Sequence, residues 1–133
     1  AASIRTRESL RDTEQRIADL ALLGKQIDTY RKLKPVYDRY KASKDKEKFL
    51  RGFESEIILF EAAAREIKKA GLTRLPSSDK VKAELEGLSA RKAALQAELR
   101  TIQREEKEYD IVQQNVDMLL KDPLKQQKSH ILE

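Results

Sequence analysis

Between Val81 and Leu120 the sequence keeps one apolar seam for forty residues. Val81, Leu85, Leu88, Leu95, Leu99, Ile102, Tyr109, Val116 and Leu120 fall on alternating steps of four and three, with Lys92, Glu106 and Gln113 in the polar gaps. No proline interrupts the run, and Gly87 falls on its outer face. A 3,4 repeat of this length dictates a helix that lies along a partner helix. At the α-helical rise it would be ~60 Å long. A compact enzyme core needs no helix of that length, so the pattern points to a scaffold or a binding arm.

Composition narrows the class further. Apolar residues make up 39% and charged residues 38% of the 133-residue chain, a mix that suits exposed helices with a narrow core stripe. The length fits one domain. Tryptophan is absent and glycine and proline are scarce, which disfavours a sheet with many turns. Without cysteine there is no disulfide and no thiolate metal site, and the chain fits a reducing cytoplasm. No run of 18 apolar residues exists, so no membrane span is expected. The start at Ala1-Ala2-Ser3, with Met118 the only methionine, reads as a fragment of a longer protein, and Leu132-Glu133 reads as a cloning scar.

The expected fold is all-α: an antiparallel three-helix bundle, or a four-helix one, elongated, with coiled-coil-like packing and one long C-terminal helix. The bundle domain covers 1–122, and 123–133 is a flexible tail. The first helix runs from about Arg5 to Leu33 on Leu10, Ile17, Leu20, Gly24 and Ile27, with Gly24 allowing a close crossing. Pro35 should end it near Lys34 and start the second helix, 36–70. A polar stretch from Lys41 to Lys48 predicts a break near 43–46. Gly71 is the expected C-cap, and Ser77 or Ser78 the N-cap of the third helix, 78–121. On this arithmetic 36–70 pairs with roughly 79–113, and the first helix runs back along the second.

Catalytic chemistry has little to stand on. The one histidine, His130, lies in the tail, and no cysteine or second histidine completes a metal site. Nucleophilic dyads and glycine-rich phosphate loops are missing. The many carboxylates sit near Lys and Arg at helical spacing, as in Glu61 and Arg65, and read as an ion-paired solvated face. No catalytic residue, metal or cofactor is therefore expected. Lys92, Glu106 and Gln113 either bury beside partners and fix register or lie at the core's edge and snorkel.

Charge supplies one candidate site. From Arg31 to Arg51 the basic residues Arg31, Lys32, Lys34, Arg39, Lys41, Lys44, Lys46, Lys48 and Arg51 oppose only Asp38, Asp45 and Glu47, so 9 − 3 gives +6. That local excess exceeds the whole chain's +5. Tyr37 and Tyr40 interleave with it. Cations neutralise phosphates and release counterions, and an exposed aromatic stacks on an unpaired base. The plain alternative is a solvated helix surface with half-buried tyrosines.

Particular residues add a resemblance. They are Lys34-Pro35-Val36, Tyr40, Lys44 to Phe49, Glu54, Ile58 to Ala63, Leu75-Pro76-Ser77, and Val112 to Leu120. Together they resemble the C-terminal helical region of relaxases, the mobilisation nucleases of Gram-positive conjugative elements, over about residues 20–121. Such relaxases nick one DNA strand through a tyrosine, in an N-terminal domain with a histidine cluster and a divalent metal. Nothing in this chain matches those nicking residues. The resemblance implies a non-catalytic, bacterial, cytoplasmic domain that aids DNA binding or assembly of the DNA-processing complex.

Two partners follow. Single- or double-stranded DNA would meet the Arg31–Arg51 segment with low sequence specificity. Alternatively, a coiled-coil module would dimerise or dock a transfer-complex protein without touching DNA. Its surface would be Tyr109, Val112, Val116, Leu119 and Leu120, which the other helices do not reach.

Overall fold

The computed structural model describes Ala2–Lys121, and its regular structure is entirely helical. Helix α1 spans Ala2–Ala42, α2 spans Lys46–Lys69 and α3 spans Ser78–Lys121. The all-α class and the helix-on-helix packing agree with the periodicity. Among the described residues no helix is long and apolar enough to cross a membrane. The expected tail from 123 and His130 lie outside the described residues.

One boundary is corrected. Pro35 neither ends α1 nor starts α2; it sits inside α1, which runs on to Ala42. Proline removes one amide, so the carbonyl of Arg31 loses its helical donor. Pro35 is exposed, so that carbonyl is left where water can serve it. The second helix accordingly begins at Lys46 rather than residue 36, after the break that the polar stretch predicted.

The described residues divide into two compact units: Asp12–Lys92, and residues 2–11 with 93–121. In the first unit α1 is the common partner. Helix α2 runs antiparallel to it, with Tyr40 opposite Phe49 and Tyr30 opposite Phe60. Helix α3 also runs antiparallel to α1: Ser78 meets Asp28, Val81 meets Gly24, and Lys92 meets Glu14. The expected pairing of 36–70 with 79–113 gives way to one in which α1 partners both. The core consists of Ile27, Ile57, Phe60, Ala63, Ile67 and Val81. Burying each large member stabilises the fold by roughly 1.5–3 kcal/mol.

Local chemistry fixes the turns. Asp45 caps α2 by accepting the Lys48 amide on Oδ1 at 3.1 Å. The Ser43 hydroxyl donates to the Asp45 carbonyl at 3.1 Å, which tightens the three-residue link. Phe53 leaves helical geometry at φ −134°, ψ 26°, beside Gly52, so α2 kinks within its first turns. At the other end the C-cap is Ala70 rather than the expected Gly71, which follows it at φ 73°. Ser77 caps α3 by accepting the Lys80 amide at 3.1 Å. Arg31 reaches across to this loop and donates to the Pro76 carbonyl at 2.6 Å.

In the second unit Ser3 and Thr6 of α1 are buried and Leu10 is half-buried. Across from them on α3, Leu95, Gln96, Leu99 and Ile102 are half-buried. The ten described residues of α1 in this unit thus cover about as many of α3. From Gln103 to Lys121 every residue of α3 is exposed.

Candidate functional site

The basic segment is split by the turn between α1 and α2. Arg31, Lys32, Lys34, Arg39 and Lys41 lie on α1, Lys44 in the link, and Lys46, Lys48 and Arg51 on α2. Structure assigns about half of them local work. Arg31 holds the loop before α3. Lys34 pairs with Asp38 at 3.3 Å on the solvent side. Arg39 lies over two rings, 5.8 Å from the centre of Phe49 and 5.4 Å from that of Phe53. Lys41 sits 5.5 Å from the ring centre of Tyr37.

The tyrosines are likewise engaged. Tyr37 stacks on Phe60 with ring centres 4.3 Å apart, and Tyr30 stacks on the same ring at 4.7 Å. Tyr40 leans on both Tyr37 and Phe49. Phe49 in turn stacks on Phe53. This aromatic row glues α2 to α1, and both Tyr37 and Tyr40 are only half-exposed. Stacking on an unpaired base would have to compete with these contacts.

Four cations remain at the turn. Lys44, Lys46, Lys48 and Arg51 are exposed and make no ion pair with a described carboxylate. Lys32 is exposed in the same way farther back on α1. Of the nearby acids, Asp45 is used as a cap and Glu47 sits in the first turn of α2. The turn can therefore offer ammonium and guanidinium groups to phosphate, but it presents no free ring.

The other predicted surface lies on α3. Tyr109 is 67% exposed, Val112 59%, Val116 43%, Leu119 53% and Leu120 75%, all without a covering helix among the described residues. Ile111 and Met118 are exposed as well, on another side of the helix. Of the polar seam positions, Lys92 is half-buried and reaches Glu14 at 3.8 Å. Glu106 and Gln113 are exposed, and Gln113 bonds Asp117 one turn on.

Among the described residues no group of three or more His, Cys, Asp or Glu is placed to hold a metal. An open groove in the first unit is edged by Asp12, Arg16, Asp19, Arg74, Lys80 and Glu84. Its three acidic and three basic groups balance, so it favours neither anions nor cations. The chain matches no protein-family model, no curated protein and no solved structure.

Proposed function

We propose that this chain is a non-catalytic helical domain of a conjugative relaxase, one that steadies DNA near the transfer origin during plasmid or transposon mobilisation. The reading rests on the relaxase-like residues from Lys34 to Leu120 and would place the chain in the bacterial cytoplasm. One structural observation supports it most: Lys44, Lys46, Lys48 and Arg51 crowd into eight residues at the α1–α2 turn, exposed and without ion-pair partners among the described residues. Four such groups neutralise phosphates without reading bases, so binding is weak in sequence preference and strongly dependent on salt. Tyr37 and Tyr40 contribute by holding α2 in place.

The test is fluorescence anisotropy of a labelled oligonucleotide, single-stranded and duplex, at low and moderate salt. The native chain should bind at low salt and release as salt rises. Exchanging Lys44, Lys46 and Lys48 for Glu should abolish binding while leaving helicity unchanged, because all three side chains face solvent. Failure of the native chain to bind at low salt, or equal binding by the triple variant, sinks the proposal.

A further inference from the structure

The uncovered end of α3 carries an apolar stripe that follows the face covered by α1 only in part. Upstream, the half-buried positions run Leu88, Lys92, Leu95, Leu99 and Ile102. Continued at the same steps, that face would pass through Glu106, Tyr109, Gln113, Val116 and Leu120, of which Glu106 and Gln113 are polar. The apolar stripe shares Tyr109 and Val116 with that face and adds Val112 and Leu119, each one residue before its Gln113 and Leu120. A straight continuation of the α1 pairing would therefore meet Glu106 and Gln113 among its apolar positions, whereas a face turned toward Val112 and Leu119 avoids both.

We infer that the stripe is the interface with a second copy of the chain, paired antiparallel over Tyr109–Leu119. Its spacing is self-complementary. With two arms antiparallel and levelled at Gln114, Tyr109 of one lies opposite Leu119 of the other, and Val112 opposite Val116. Every core position then meets an apolar one, as a two-fold interface requires.

Charge selects the direction. Glu105, Glu106, Glu108 and Asp110, with Lys107 the one cation among them, form a net acidic block at the start of the arm, whereas Ile111–Leu120 carries the single charge of Asp117. Parallel arms would stack the two acidic blocks on each other, with Glu105 facing Glu105 in the core row. Antiparallel arms send the blocks to opposite ends. Near the axis Gln114 meets its own copy and Gln113 meets Asn115, without like-charge repulsion. Four to six apolar side chains per copy bury on the order of 1,000 Å² in total, which is the scale of a weak, reversible association.

The chain has no cysteine, so any introduced thiol is unique. In sedimentation or light scattering at high salt, which removes phosphate-type attraction, the native mass should rise from one chain toward two with concentration. Val116→Asp should weaken that association by roughly tenfold or more, because it places a charge in an apolar contact. The position is exposed in the single chain, so circular dichroism and thermal midpoint should not move. A mixture of Val112→Cys and Val116→Cys chains should cross-link to each other under mild oxidation, while neither forms appreciable disulfide alone. A native chain that stays monomeric at all concentrations, an unchanged Val116→Asp dimer, or efficient self-cross-linking of Val112→Cys each overturns the inference.

Discussion

Gly24 and Val81 approach so closely that a Cβ on the glycine would stand 3.1 Å from Val81 Cγ1. Here the apolar face of α3 rests on α1, three residues after the Ser78–Asp28 contact. Val81 is buried and β-branched, so its rotamer is stiff and it yields little. Gly24→Ala gains about 1 kcal/mol of helix propensity but incurs about 1–3 kcal/mol of crowding, so stability in urea titration should fall. In a Val81→Ala background the same change should become stabilising. Gly87 offers the contrast: it is mid-helix, and a Cβ added there would meet nothing within 4 Å. Gly87→Ala should therefore stabilise by about 0.5–1 kcal/mol.

Phe60 holds the aromatic row together, stacked against both Tyr30 and Tyr37. Phe60→Ala should cost about 3–5 kcal/mol, and the near-ultraviolet dichroism of the tyrosines should weaken as their packing partner goes. Phe60→Leu fills part of the volume and should cost distinctly less. Equal losses for the two variants would mean that the aromatic stack, and not the filled volume, carries the stability.

The loop between α2 and α3 depends on two residues with different physics. Gly71 sits at φ 73°, a left-handed conformation that a Cβ disfavours. Gly71→Ala should therefore destabilise by about 1 kcal/mol even though open space surrounds it. Ser77→Ala removes the acceptor for the Lys80 amide and should also cost about 1 kcal/mol. Ser77→Asp keeps the acceptor and should restore stability.

Glu14 and Lys92 should matter far less than their place in the seam suggests. The pair is 3.8 Å apart, with side chains 48% and 39% exposed. A double-mutant cycle to alanine should give a coupling below about 0.5 kcal/mol, and salt should erase it. A coupling several times larger would show that the pair is desolvated in solution.

Three helices, the limits of α3, a serine cap at 77 or 78 and the break before Lys46 were legible because each rests on local rules. Pro35 misled because the proline rule counts a lost hydrogen bond without knowing that the orphaned carbonyl is on a wet face. Ser3, Thr6 and Thr13 are buried on the α1 seam at the same 3,4 spacing as Leu10 and Ile17. Their hydroxyls hid them from an apolar pattern, although the spacing itself could have revealed them. The roles of Arg39 and Lys41 could not be read, since they depend on rings that only the folded turn brings near. Helical spacing likewise overstated ion pairing: Glu61 and Arg65 form no bridge, whereas Lys34–Asp38 and Glu66–Lys69 do.

Those hydroxyls on the α1 seam have a consequence for biosynthesis. A ribosome releases Ser3, Thr6, Leu10 and Thr13 some ninety residues before the stretch of α3 that buries the first of them. At elongation rates of up to ~20 residues per second, that is a wait of several seconds. A seam of leucines would spend those seconds as a sticky surface beside other nascent chains. Mixing hydroxyl with aliphatic positions leaves a strip that water tolerates until its partner arrives.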